Sequence, residues 1–556
     1  MTRSRGYSIS QFVIASAQAA PDLSAIDSEL KRLGVSEDAR QLILGLLESM
    51  SGRVHSLQAR LETALRQLYS RKSEKISPDQ LALFLAKLPV SEAEKTGEER
   101  ASPDELPAEP PPPLPPPVDP PKPKAKPHGK RAFPANLPHR TEKVLIPESE
   151  RRCACGAEKV CIGFQSQVLW EFEPAQFFLL ERLREKVACK KCEENGVQTA
   201  PAPGKPIEGG RPGPGLLAQI VTAKENDSLP LYRQSQIYQR GGIYLAPSTL
   251  GDWHAAAADL YEPIWRVLRK ETLKSYLISL DDTHMPVLDR EHPRGCKKGH
   301  IWTYLGDENR VAFCDYTPTW SGTFPSKILE EFAGKVIQGD GYAGIGGVFR
   351  GPDPPRRAGC MDHCRRRFVK ALEAGEVRAA LIVKLMQDLY AVEAQGRVEK
   401  LDANALGVRR GERSRPLMER IRRVIADLHG GAVPKSLLGK ATTYAINQWS
   451  TLTVFLDDGR VPLSNAHVER HQRRTALGRK NYLFTGSDEG GRRLAILQTI
   501  VINCEMQRIS MWHYLRDTFQ RLADGWPQSR ITELLPAAWA AAQRGPEEKA
   551  QNPKAE

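Results

Sequence analysis

The 556-residue chain has no apolar run near the roughly 18 residues that a membrane span needs. The longest candidate, Leu494 to Cys504, is short and is broken by Gln498, Thr499 and Asn503. Residues 1–20 hold no compact apolar stretch ahead of a cleavage site, so no secretory leader is expected. Cysteine is scarce, 10 in all, which excludes a disulfide scaffold for a chain this long. Acid is in the minority. Lys plus Arg number 80 against 67 Asp plus Glu, a net charge of +13. That excess points to a polyanionic partner, nucleic acid before membrane. The expected setting is a reducing cytoplasm.

What is present is organised in blocks. Leu47, Met50, Val54, Leu57, Leu61, Ala64 and Leu68 alternate steps of three and four, a coiled-coil seam that predicts a homo-oligomer. An amphipathic helix packed on its own domain has the same pattern. Gly45 and Gly52 each weaken the helix by about 1 kcal/mol relative to Ala. Ser102 to Pro127 holds 13 Pro in 26 residues, an extended spacer. It leads into Lys122, Lys124, Lys126, Lys130 and Arg131, a basic arm for loose phosphate contact or for solubility.

The cysteines cluster. Cys189-Lys-Lys-Cys192 is a CxxC knuckle, and Cys153-Ala-Cys155 is a contracted one. Four thiolates suit a closed, tetrahedral structural Zn²⁺ site, with Cys161 able to replace Cys153 or Cys155. Unliganded cysteines are the alternative. From Gly215 to Trp253 short helical stretches are separated by Leu229-Pro230 and Gly241-Gly242, with Ser248 a plausible N-cap. The order is compatible with a helix-turn-helix or with a plain helical packing unit.

From Tyr276 the period changes. Strands are predicted over 276–282, 299–305, 311–316 and 335–343, with a helix over 326–332. Three strands, a helix and a strand is the order of a ribonuclease H-like fold. The first strand ends in Asp281-Asp282 and the fourth in Asp340, 59 residues on from Asp281. In that topology the two strands are neighbours, and paired carboxylates there call for a cation. Two unrelated surface Asp residues are the plain alternative. Mg²⁺ takes hard oxygen ligands, and a pair of such ions can clamp an in-line displacement at phosphorus. Glu469 is the candidate third acid. It lies beside Arg470, Arg473 and Arg474, with Arg479 and Lys480 further on, a face suited either to a DNA phosphate track or simply to water.

Several ordered segments resemble transposases of the insertion-sequence-66 family, over about residues 25–540. They are LDDTHMPVL (280–288), QGDGYAG (338–344), Glu469-Arg470 with ALGRKNYLF (476–484), and GSDEGG (486–491). SRKSEK (70–75), the cysteine cluster, LPLYRQ (229–234) and AGCMDH (358–363) also match. The family's Asp-Asn-Asn run before the glutamate is here Ser464-Asn465-Ala466, and His284 stands where Pro is usual.

The resemblance implies a multidomain α/β protein with a ribonuclease H-like mixed sheet carrying a helical insertion. The expected blocks are 1–85 helical or coiled coil, 86–140 Pro-rich basic linker, 141–210 zinc module and 211–270 helical DNA-binding unit. They continue with 271–500 catalytic core, insertion about 355–450, then 501–540 C-terminal helices and 541–556 tail. It implies a DDE transposase that cleaves its element's ends and transfers the 3′ hydroxyls to target DNA. Asp281, Asp340 and Glu469 would hold two Mg²⁺, with Asp282 in support. Cys153, Cys155, Cys189 and Cys192 would hold Zn²⁺. Arg365, Arg366, Arg367, Arg470, Arg473, Arg474, Arg479 and Lys480 would contact DNA, as would the arginines of 409–423. Expected partners are double-stranded DNA, further copies of the chain and small co-encoded accessory proteins, in a bacterial, nucleoid-associated setting. The rival expectations are an end-binding DNA protein with impaired catalysis and a branch-specific metal nuclease or resolvase.

Overall fold

The computed structural model describes residues 23–47, 50, 81, 84, 139–173, 176–188, 197–306 and 310–544. Most of the heptad seam, the Pro-rich spacer, Cys189, Cys192 and the tail lie outside them. The chain divides into two compact units. One takes the described residues within 1–93, 365–387 and 421–444; the other takes the rest.

The first unit contains α1 (Leu23–Arg32) and a helical stretch over 37–47. Asp27 pairs with Lys31 at 2.8 Å, and Arg40 is buried. Its later segments bury Phe368, Leu372, Val383, Met386, Ile421, Ile425 and Leu438. Arg367 lies with its guanidinium 4.0 Å from the centre of the Tyr444 ring.

The second unit contains two mixed sheets. In the first, β2 (Val160–Glu173) and β3 (Gln176–Ala188) pair antiparallel, β1 (His139–Val144) adds parallel to β3, and β4 (Val197–Thr199) pairs with β3. Cys161 pairs with Val187, near the end of β3 where the CxxC knuckle begins in sequence. Alternate β2 and β3 side chains, Trp170, Phe172 and Leu179, pack on α2 (Pro214–Val221), α3 (Leu231–Arg240) and α4 (Pro247–Leu260). Ser248 is not the cap of α4. Ala246 holds that place, because Pro247 occupies the first helical position and needs no N–H bond there.

The second sheet has the order β7-β6-β5-β8-β9. Its strands are β5 (Leu277–Leu288), β6 (Cys296–Gly306), β7 (Val311–Thr317), β8 (Val336–Gln338) and β9 (Arg356–Ala358). β5 is central. The continuous apolar start of β5 is buried on both faces, as a strand flanked on both sides requires. Antiparallel β6 and β7 lie to one side and parallel β8 and β9 to the other. α5 (Glu262–Leu273) precedes the sheet and α6 (Thr323–Leu329) connects β7 to β8.

The helical insertion between Asp340 and Glu469 contains α7 (Met361–Glu373), α8 (Ala379–Val398), α9 (Ala403–Arg409), α10 (Arg415–Gly430), α11 (Leu437–Asn447) and α12 (Trp449–Leu452). The chain continues through α13 (Ala466–Tyr482), α14 (Asp488–Gln507), α15 (Met511–Ala523) and α16 (Pro536–Gln543).

The polar residues that interrupt the apolar run of α14 have structural duties. Asn503 exchanges two hydrogen bonds with the backbone of Ala312, and Thr499 Oγ1 accepts from the Cys314 amide at 2.8 Å. They satisfy the free edge of β7. Gln498 Nε2 donates to the buried Glu225 carboxylate at 2.8 Å. Residues 211–270 and 501–540 also share one core. Leu217, Tyr261, Leu268, Leu497, Trp512, Tyr514 and Phe519 are buried together. No helix among the described residues is long and apolar enough to cross a membrane.

Candidate active site

The site is built on the pairing of β5 with β8. Ser279 lies opposite Gln338 in the parallel register, and Ser279 Oγ donates to Gln338 Oε1 at 3.2 Å. Both are fully buried. Gln338 Nε2 also donates to the carbonyls of Pro462, at 2.6 Å, and Gly359, at 3.2 Å. One amide thus fixes two strands and the segment that leads into α13. Asp281 and Asp340 each lie two residues beyond this pair, Asp281 within β5 and Asp340 just past β8, which stops at Gln338 and does not run on to 343 as the sequence suggests.

Each aspartate is held from its own backbone. Asp281 Oδ1 accepts from the Asp282 amide at 3.0 Å, and Asp340 Oδ1 accepts from the Tyr342 amide at 2.9 Å. Arg357 donates to the Tyr342 carbonyl at 2.6 Å and stabilises that turn. Burial, then the negative charges of Glu469 and Asp340, push the Asp281 carboxyl up to about 8. Three acids, far apart in the chain, therefore feel one another at Asp281. A hard divalent cation is what relieves such crowding, and carboxylate oxygens are its ligands.

Asp282 points to the opposite side of β5 and is engaged differently. His300 Nδ1 lies 2.5 Å from its Oδ2, and Trp320 Nε1 donates to its Oδ1 at 3.1 Å. Trp320 stacks on Tyr342, with ring centres 4.7 Å apart.

Glu469 is in the first turn of α13. Asn465 occupies the cap position, but its side chain does not cap the helix. Asn465 Nδ2 reaches the Leu280 carbonyl at 3.3 Å, next to Asp281, and its backbone amide donates to Cys360 Sγ at 3.4 Å. Val468, one residue before the glutamate, is fully buried with Met285 and Ile301. Glu469 also faces the start of α7. His363 Nδ1 lies 3.7 Å from Glu469 Oε1, and burial pushes the Cys360 thiol up to about 12.

The basic residues of α13 divide into two sets. Arg470, Arg473 and Lys480 are exposed at steps of three and seven, one stripe of the helix. Arg474 donates to Asn226 Oδ1 at 2.8 Å and pairs with Glu505 at 3.2 Å, while Arg479 donates to Thr283 Oγ1 at 3.2 Å and to the His284 carbonyl. In the insertion, Arg413, Arg420, Arg422 and Arg423 are exposed. Arg410 is not available to DNA. It is 1% exposed, makes two bonds to Glu393 at 2.7 and 2.8 Å, and donates to the carbonyls of Phe455, Asp458 and Val461. Arg365, Arg366 and Arg367 lie along α7. Cys153 is buried, whereas Cys155 and Cys161 are exposed.

A central strand carrying Asp281, the segment just past its parallel neighbour carrying Asp340 and a helix carrying Glu469 belong to one mixed α/β unit. Residues 209–493 match the family described as "Transposase IS66 family", and residues 56–141 match "Transposase C of IS166 homeodomain". Among curated relatives, the uncharacterized protein y4jD of Sinorhizobium fredii (strain NBRC 101917 / NGR234) is 30% identical over 437 residues, 74% of this chain and 82% of that protein. The uncharacterized protein y4hP of the same strain is 28% identical over 512 residues, 88% of this chain and 89% of its own. The chain belongs to the IS66 transposase family; it is a transposase-type enzyme with DNA as its partner.

The homeodomain match was not anticipated from the sequence. It falls on the segment read as coiled coil and spacer, where proline is the commonest residue. Nor was the approach of Cys360 to Glu469 anticipated, since Cys360 and Asn465 lie 105 positions apart in the chain.

Proposed function

We propose that this transposase cleaves strands at the ends of its element and transfers the freed 3′ hydroxyls to target DNA, with Asp281, Asp340 and Glu469 as the essential acids. The observation that carries this reading is the convergence of three distant segments, with Ser279 and Gln338 locking β5 to β8 and Asn465 tying the helix of Glu469 to the Leu280 carbonyl beside Asp281; the raised Asp281 carboxyl agrees with it. The sheet order, three antiparallel strands flanked by two parallel ones, supports a ribonuclease H-like core. When bound, two Mg²⁺ would supply activation of the attacking oxygen and neutralisation of the leaving one.

The chain's own residues do the positioning. Asp281 presents its carboxylate from β5 and Asp340 from the segment just past β8, two strands locked in register by Ser279 and Gln338. Asn465 ties the helix of Glu469 to the strand of Asp281. Ser464 and Ala466 depart from the family pattern, but the tie is made by Asn465, which supports an active copy. His300 and Trp320 hold Asp282 beside the site. The exposed stripe of Arg470, Arg473 and Lys480 follows Glu469 along α13 and suits a phosphate backbone. Cys153, Cys155, Cys189 and Cys192 are proposed as the Zn²⁺ ligands of residues 141–210, in a protein acting on DNA in the cytoplasm.

The test is cleavage and strand transfer on DNA carrying the element's ends, with Mg²⁺. Asp340→Ala should abolish both and leave end binding nearly intact. A variant that still cuts refutes the acid assignment.

A further inference from the structure

Glu469 has a second set of neighbours besides the two aspartates. Cys360 and His363 are three residues apart at the start of α7, and Glu469 sits across from them. One ligand atom from each, the Cys sulfur, a His ring nitrogen and a carboxylate oxygen, falls within 4.8 Å of the other two. The His363 Nδ1 to Glu469 Oε1 distance of 3.7 Å is beyond a direct hydrogen bond. It is close to the separation of two donors on one tetrahedral ion, roughly 3.3–3.8 Å for bonds of about 2.0–2.3 Å. Cys360 is fully buried, whereas His363 and Glu469 are 23% and 26% exposed, so an ion has a route in from one side.

The donors differ in kind from the aspartates. Sulfur and imidazole favour borderline and soft ions such as Zn²⁺, whereas Mg²⁺ favours oxygen alone. Glu469 is the one residue that belongs to both sets. We propose that Cys360, His363 and Glu469 form a site for a zinc-class divalent ion, and that an ion held there withdraws Glu469 from Asp281 and Asp340 and inhibits strand cleavage. The Cys360 proton passes to solvent as the ion binds, and the fourth position is left to water. The inhibitory half rests on the reading of Glu469 as the third acid; the binding half does not.

The test uses the full chain in excess Mg²⁺. Cd²⁺ serves as the probe, because its bond to a thiolate absorbs in the ultraviolet. The parent should bind one more Cd²⁺ than Cys360→Ser, with a matching loss of thiolate absorption. His363→Ala should weaken the same equivalent by at least about tenfold. Zn²⁺ should inhibit cleavage by the parent, and the residual cleavage of Cys360→Ser should need at least about tenfold more Zn²⁺ for the same fractional loss. Equal Cd²⁺ binding by the parent and both variants overturns the site. Equal sensitivity to Zn²⁺ overturns the inhibition. Asp281→Asn separates this proposal from the one it rests on: it should lose cleavage and keep the Cd²⁺ equivalent. If Asp281→Asn still cuts, the three-acid reading has failed, while the Cd²⁺ comparison still decides the site.

Discussion

Asn465 Nδ2 donates to the carbonyl of Leu280 at 3.3 Å, and this bond joins the helix of Glu469 to the strand of Asp281. Asn465 is fully buried, so the bond is shielded from water. Asn465→Ala should cost about 1–3 kcal/mol of stability, the range for a buried group left without its partner. It should reduce cleavage more than DNA binding, because it loosens the placement of Glu469. Urea denaturation and a cleavage assay check the two parts; cleavage at the parental rate would show that Asn465 does not position the acid.

The raised Asp281 carboxyl makes a prediction about pH in metal-free protein. The group titrates near 3.8 when unperturbed and near 8 in the fold, where burial comes first and the charges of Glu469 and Asp340 next. The folded state holds this proton more tightly than the unfolded one. Its stabilising contribution is therefore complete below about pH 4 and is lost progressively up to about pH 8. With EDTA present, Asp281→Asn should gain stability relative to the parent as pH rises from about 5 to 9. Thermal unfolding of the two proteins across that range is the measurement. A gap that stays constant with pH would mean that Asp281 does not sit among other acids.

Arg410 makes five polar bonds, to Glu393 and to three carbonyls, with 1% of the residue exposed. Arg410→Met leaves the Glu393 charge buried and should destabilise the protein by about 3–5 kcal/mol. Arg413→Ala, exposed on the next turn, should change stability by no more than about 0.5 kcal/mol. Chemical denaturation separates the two. An Arg410→Met variant with parental stability and weakened DNA binding would restore the reading of Arg410 as a DNA contact.

Zinc is the expected ion of the cysteine module. Cys189→Ser should lose one equivalent of tightly held zinc relative to the parent, measured by elemental analysis after dialysis, and should weaken recognition of end DNA. Equal zinc in both proteins would remove Cys189 from the ligand set.

The strand starts near 276, 299 and 311 were legible because each begins or carries an apolar run bounded by charge or glycine. The strands themselves extend further: β5 runs to Leu288 and β6 begins at Cys296. Their added residues pair along a hairpin, and backbone pairing between neighbours leaves no hydrophobic signature. The cap of α4 lies two residues before Ser248, because Pro247 does at that helix start what a capping side chain would otherwise do.

By itself the sequence determined the family, the positions of the candidate acids and the basic balance of the chain, since these rest on residue identity and spacing. Only tertiary structure decided which acids feel one another, which arginines are spent on internal carbonyls and carboxylates, and that Cys360 and His363 face Glu469. Those outcomes depend on distance in space, and chain folding brings side chains together across separations that no local pattern records. Charge count treats Arg410 and Arg413 alike; burial makes the first a structural pin and leaves the second in water.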